Sequence, residues 1–284
     1  MNTQSTYGAR DTYLKSQYDH VLRNTLVAEK ICDVNREDTK RIQNPYGSAV
    51  DATIQAVAGT YSVSAWTVTD DALTVTDEVI YSEHIFAHEE YFARFDIAMS
   101  RIDEMLYGVA HGIDQYVLNS LVEDATGAYA TPSGGFTDET NINTIFANLI
   151  SKVSGYSETY KGLYVVIENT DLVGLVEAGA TNGFSFADST LKNGFMGNWM
   201  GVDIHVVRSG TFQDATLGTR TFTNENNRVF GVKGVSTYAS PRGVQYEEKA
   251  VSGKTGKEIV VFQLVGFKLW SQKTDLTVDI TLTA

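Results

Sequence analysis

Two histidines four residues apart, His84 and His88, are the first candidates for chemistry, since on a helix they would share a face and Glu83, Glu89 and Glu90 stand beside them. The zinc-protease pattern His-Glu-x-x-His is absent, because Phe92 occupies the place of the second histidine. No third ligand is indicated, and the two read as surface or interface histidines. Gly253-Lys254-Thr255-Gly256 contains the Gly-Lys-Thr of a phosphate loop. It lacks the preceding glycine at the required distance, and a β-rich stretch follows where a helix is needed. It reads as a hairpin turn. Cys32, the single cysteine, has no obvious base beside it and cannot form an intramolecular disulfide. Gly-x-Ser-x-Gly does not occur, the acidic residues suggest no pair across a cleft, and Trp66, Trp199 and Trp270 are dispersed. The residues therefore present no catalytic constellation, no metal site and no cofactor site.

What must position these residues is more telling. Apolar residues recur at spacings of three and four at Phe92, Phe95, Met99, Ile102, Leu106, Val109, Ile113 and Tyr116, continued by Val117 and Leu121. No proline interrupts 83–123, so the pattern predicts one helix of some 30–35 residues, roughly 50 Å at ~1.5 Å per residue. Before it, Tyr61–Thr69 and Leu73–Tyr81 alternate small polar with larger residues around Asp70-Asp71, which predicts an extended hairpin without a core of its own. Residues 1–45 read as an arm, with a helix possible over Asp11–Glu29, where Tyr18, Leu22 and Leu26 recur.

After the long helix, Ala125–Thr140 is rich in Gly, Thr and Ser and reads as a loop. A mixed region follows. It comprises a helix over Asn141–Val153, a buried strand at Leu163–Ile167, a short helix over Asn169–Glu177 capped by Asn169 or Thr170, and strands at Gly201–Val207 and Asn226–Val235. Two strands, Gly243–Val251 and Lys257–Gln272, flank the Ser252–Gly256 turn. Leu276–Leu282 alternates as a half-buried strand.

Charge is unevenly distributed. Of a net −13, the stretch Ile42–Ile150 alone carries 16 acidic against two basic side chains, Arg94 and Arg101. Such a chain is poorly suited to gripping phosphate backbone, and the stretch reads either as solvated surface or as a face that repels polyanions and meets basic patches on another copy. No apolar run approaches the ~18 residues of a membrane helix, and the first residues show no secretory or transit signal. An arm and a ribbon that both need partner surface are the profile of a subunit in an assembly.

This order of elements resembles the major capsid protein family of tailed bacteriophages, whose fold is shared with encapsulins. "FDIAMSRIDEMLYGVAHGIDQYVLNSL" is similar to the family's spine helix, and "NGFMGNWMGVDIHVVRSG" to a strand of its axial domain. The resemblance implies an α+β capsid fold with an N-terminal arm (1–49), an extended β-hairpin or E-loop (50–81), a peripheral P-domain with the spine helix (82–140 and 240–274) and an axial A-domain (141–239 and 275–284). It implies a structural role without enzymatic activity, in which pentamers and hexamers form an icosahedral or prolate shell around double-stranded DNA in the virion, after assembly in the host bacterial cytoplasm. Contacts of the E-loop with neighbouring subunits are expected at Tyr61, Val63, Trp66, Val68, Leu73 and Val75, with Trp66 the largest anchor. Spine-helix packing is expected at Phe95, Met99, Ile102, Leu106, Val109 and Ile113. The implied partners are further copies of the chain, a portal protein, a separate scaffolding protein (the sequence starts at Met1 without room for a fused one) and in some systems a decoration protein. DNA would be met only non-specifically, and no membrane is involved. The E-loop lacks the lysine by which some family members crosslink, so no covalent ladder is expected. An encapsulin-type shell around an enzyme cargo is the first alternative. A tail-tube or decoration protein would lack so long a helix, and an enzyme would need a pocket with converging polar groups.

Overall fold

The computed structural model describes residues 26–47, 67–88, 97–181 and 195–283. Its centre is the long helix. A short helix α1 (Ala28–Ile31) opens the described chain, and the long helix α2 (Ile97–Asp124) has 28 residues, about 42 Å at ~1.5 Å per residue. Leu106, Val109, Ile113, Val117 and Leu121 are fully buried along α2, following the three-and-four spacing of the sequence. Glu104, Tyr107 and Gly108 lie on its open side. Met99 and Ile102 belong to the same helix, whereas Phe92 and Phe95 fall outside the described residues.

Two sheets pack around α2. The first has six strands in the order β7 (Gly127–Ser133), β17 (Thr277–Thr283), β13 (Asn227–Val232), β8 (Leu163–Glu168), β10 (Val202–Val207) and β9 (Phe195–Trp199). Its central strands β8 and β13 are buried almost throughout, as their continuous apolar runs require. Helix α3 (Ile142–Val153) buries Ile145, Leu149 and Val153, and helix α4 (Leu172–Thr181) follows β8.

The second sheet has five strands. β1 (Asp33–Asn35) pairs in parallel with β14 (Ser236–Ala239), which pairs with the far end of the 13-residue β16 (Lys257–Leu269). The near part of β16 is flanked by β15 (Gln245–Ala250) and β6 (Asp77–Ile85). β15 and β16 join through the 251–256 turn, as the sequence predicts. β6 lies flat against α2. A Cβ at Gly112 would come within 2.7 Å of Val79 Cγ1, so this helix position must stay bare.

Four expectations are corrected. The hairpin does not fold about Asp70-Asp71. Instead β2 (Arg41–Gln43) pairs with β5 (Ala72–Thr74) and β3 (Tyr46–Gly47) with β4 (Val68–Thr69), so the ribbon goes out along 41–47 and returns along 68–74. Residues 77–85 leave the ribbon and join β16 over nine register pairs. The Gly/Ser/Thr-rich stretch after α2 is not all loop, since Gly127–Ser133 runs parallel to β17 as a sheet edge. Its alternating exposure and small residues conceal a strand whose stability comes from its partner. The helix after β8 is capped not by Asn169 or Thr170 but by a reciprocal Glu168–Asp171 capping box, with a short 3-10 turn ahead of α4. His84 and His88 share no helix face, for His84 sits on β6 with its ring edge-on to Phe86 at 4.6 Å. Among the described residues no cluster of His, Cys, Asp and Glu could hold a metal ion, and no helix is long and apolar enough to cross a membrane.

Part of the expected arm belongs to the body of the subunit. Of the helix expected at 11–29, Tyr18 and Leu22 lie outside the described residues, while Leu26, Val27, Ala28 and Ile31 are buried in the subunit's own core. This portion of the arm is therefore an integral part of the fold.

Candidate assembly surface

The ribbon is anchored at its root. Leu73 and Val75 form a small separate core with Ala239 and Trp270, with Ile42 packed against it. They press onto β16 where a Cβ at Gly266 would stand 3.0 Å from both Leu73 Cδ2 and Val75 Cγ2, so glycine makes room for the ribbon. The Trp270 indole N–H donates to Thr237 Oγ1 at 2.9 Å. Asp71 Oδ2 accepts the Ser271 backbone N–H at 2.9 Å, and Lys268 Nζ lies 3.1 Å from Oδ1. Burial pushes the Asp71 carboxyl up, but the Ser271 bonds and the Lys268 ammonium outweigh it and hold it below the ordinary carboxylate range. Arg41 bonds Asp70 across the two arms at 3.2 Å.

Among the described residues beyond the root, exposure rises. Val68 is half exposed, as are Thr69 and Asp70 beside it. Of the expected contact residues, Tyr61, Val63 and Trp66 lie outside the described residues. Leu73 and Val75 are 1% and 8% exposed, so their side chains fix the root within the subunit instead of facing outward.

Next to the root lies an open sheet face. The residues of β6 that point away from α2 are Glu78, Ile80, Ser82 and His84, opposite Leu264, Phe262, Val260 and Glu258 of β16. Ile80 is 57% exposed and Leu264 38%. Across β16, Gln245, Glu247 and Lys249 of β15 continue the same face. A cleft of about 310 Å³ connects it to the ribbon root, with Val75 and Leu264 as apolar floor and Lys40 and Arg242 at its rim. Arg242 is paired with Asp38 at 2.9 Å. Such a surface can bind extended chain or another sheet, but it brings no nucleophile and base together.

Rigidity comes from two polar knots. In one, Arg228 Nη2 meets Glu168 at 3.3 Å and Asp171 at 3.2 Å, Nε bonds Asp171 as well, and Nη1 donates to the Glu225 and Asn227 carbonyls, with Phe212 beneath the guanidinium at 5.3 Å. Glu168 also accepts the N–H groups of Gly210 and Phe212. In the other, the hairpin of β11 (Asp214–Leu217) and β12 (Arg220–Thr223) docks its tip on Asp77. That carboxylate accepts Thr219 N–H at 2.7 Å and Tyr116 O–H at 2.7 Å. Arg220 makes two bonds to Asp124 at the end of α2, at 3.0 and 2.6 Å. Composition alone could not locate either knot, because their members lie up to 142 residues apart.

Comparison with solved structures gives the fold its context. The chain aligns with the capsid structure of cyanophage P-SCSP1u at TM-score 0.66 and 14% identity, over 91% of this chain and 88% of that one. It aligns with a structure from Mycobacterium phage Ogopogo at TM-score 0.67 and 12% identity, over 91% and 92%. A virus-like particle from Pyrococcus furiosus aligns at TM-score 0.60 and 11% identity, over 94% and 97%. The chain has the capsid-type fold. That fold is α+β and is shared by tailed-phage capsids and capsid-like particles. No family model matches the sequence, and no curated protein does.

Proposed function

We propose that the chain is a major capsid protein, copies of which close into an icosahedral or prolate shell of pentamers and hexamers around double-stranded DNA. The observation that carries this reading is the pairing of unfinished surfaces in one protomer. A two-stranded ribbon is marginal alone, and here it extends from a rigid root beside an open apolar sheet face. A neighbouring copy completes both, and repetition by symmetry closes the shell. The ribbon built on 41–47 and 68–74 is the E-loop, α2 the spine helix, the five-stranded sheet the P-domain and the six-stranded sheet the A-domain. This assignment moves Asp77–Tyr81 from the E-loop into the P-domain and Gly127–Ser133 from the P-domain into the A-domain. Contact between copies falls to Val68 and, by sequence, to Tyr61, Val63 and Trp66. Portal and scaffolding proteins are the implied partners, a decoration protein a further one, and the virion its place.

The likeness to a virus-like particle from Pyrococcus furiosus supports a second reading, a shell around protein cargo. Negative-stain electron microscopy of the purified chain, alone and with its scaffolding partner, tests the shared premise. Closed shells, tubes or ring-shaped capsomers are expected, and a persistent monomer at high concentration in both conditions overturns it. DNA in particles from infected cells, against protein cargo, separates the two readings. Trp66→Ala is expected to reduce particle yield while the protomer still folds; an unchanged yield removes the anchor role.

A further inference from the structure

The N-terminal segment is held on the long helix by one carboxyl group. Asp114, 7% exposed in the middle of α2, accepts the backbone N–H of Ala28 on Oδ1 at 2.9 Å and that of Val27 on Oδ2 at 3.2 Å. These are the first amides of α1, and around them Leu26, Val27, Ala28 and Ile31 fill the core beside α2. Two neutral donors replace only part of the hydration that a full negative charge gives up on burial. A protonated carboxyl avoids burying a charge and keeps its carbonyl oxygen for the shorter bond, while the longer bond to Val27 weakens. We propose that Asp114 is a pH-sensitive latch: the segment 26–32 is held most tightly on the long helix when this carboxyl is protonated, and its hold loosens as the carboxyl ionises.

The surroundings favour this sense. Burial raises the Asp114 carboxyl to about 7; the two amides and Lys30 pull it down, and Glu29 pushes it further up. Lys30, on the docked segment, is itself lowered by burial. Cys32 and Tyr238 are the other titratable groups facing it, and burial drives both upward, the thiol to about 12 and the phenol well above its ordinary value, so neither changes charge near neutrality. One turn earlier on α2, His111 is held below its ordinary value by burial and by Arg208. When the segment lifts away, Asp114 meets water and returns toward the ordinary value of ~3.9. The docked state then binds one proton more than the open state between about pH 4 and pH 7, so docking weakens as pH rises through that window and levels off above it. His205, lowered to about 4 by burial, acts with the opposite sign on the fold as a whole, so the latch must be read locally.

Cys32 supplies the local probe. It is the single cysteine, buried at the end of the docked segment with the Ser236 hydroxyl 3.1 Å from its sulfur. In the full-length chain, its modification by a thiol reagent, divided at each pH by the rate in the denatured chain, reports the fraction of time the segment is open. Protection is expected to fall by up to about tenfold per pH unit between pH 5 and pH 7 and to flatten above pH 8. Asp114→Asn is expected to abolish that slope. A wild-type profile that is flat, or protection that rises with pH, overturns the latch whether or not the variant folds. A slope that survives in a folded Asp114→Asn variant assigns it to another group, such as His111, and equally overturns the proposal.

Discussion

The two sheets answer the same physical demand differently. In the six-stranded sheet, β8 and β13 are buried along their length, α3 and α4 pack nearby, and even its charges are enclosed, with Arg228 tied to Glu168 and Asp171. In the five-stranded sheet β14 is buried on both faces and the ribbon root covers Gly266, but the surface around Ile80 and Leu264 stays open. On β6 Asp77 and Ile85 are buried while Glu78 and residues 80–82 are exposed, and β15 is exposed over its last four residues. The central strands of the first sheet are enclosed by the chain itself. The second has the chemistry of an interface, apolar at its middle and charged at its rim. Substitutions should therefore separate into those that unfold the protomer and those that leave it folded but unable to assemble.

The largest effect on the fold is expected at Arg228. Arg228→Met leaves Glu168 and Asp171 as buried carboxylates without their cation, which costs about 3–5 kcal/mol. Chemical denaturation should show that loss, and a midpoint unchanged from wild type would mean that the knot does not support the six-stranded sheet. Next comes Gly218→Ala. This position has φ +59°, and a Cβ there would stand 2.3 Å from Asp77 Oδ1, so the hairpin tip must withdraw from its carboxylate. A loss of about 1–3 kcal/mol is expected, with faster hydrogen exchange confined to 214–223 and 77–85. Because this hairpin joins the end of α2 to β6, exchange that spread evenly through the molecule would contradict its local role.

On the open sheet face the outcome should reverse. Ile80→Lys puts a charge where the protomer has little packing to lose, so its stability should stay within about 0.5 kcal/mol. Assembly should fail, because the charge would be buried against the neighbouring copy. Light scattering of the folded variant checks this directly. Normal shell formation would show that this face points to solvent in the assembly and that the comparison between the sheets concerns exposure alone.

The same contrast explains what is legible in the sequence. Continuous apolar runs and the three-and-four spacing of α2 mark elements whose environment is local and fully apolar, so Leu163–Ile167, Ile142–Val153 and the helix are readable. The ribbon misleads because Thr- and Val-rich segments on either side of Asp70-Asp71 satisfy the same alternation, whichever partner they take. Its true partner, Arg41–Gly47, shows almost no β pattern, and pairing is set by the distant root at Gly266 and Trp270. Gly127–Ser133 escapes for the same reason. Asp77, Asp114 and Asp71 look alike in sequence as acidic residues of one charged stretch. Only the fold shows that all three are buried and that each ties separate parts of the chain together.

Asp71 gives the smallest effect and the finest test. Its carboxyl is held below the ordinary value, so its contribution is fully present above ~4, the unfolded value, and is lost as pH falls through the lower folded value. The ribbon root should thus be indifferent to pH from 8 down to about 4.5, over the very range in which Asp114 changes the hold on the N-terminal segment. Asp71→Asn keeps the shape but removes the charge that Lys268 meets, at a cost of about 1 kcal/mol to the root alone. Trypsin can read this, since Lys40 and Arg41 stand at the start of the ribbon and no further lysine or arginine occurs before Arg94. Cleavage after 40 or 41 should quicken about fivefold in the variant while global unfolding hardly moves. If both change together, the ribbon root is not a separate unit, and the protomer carries its ribbon as part of one cooperative core.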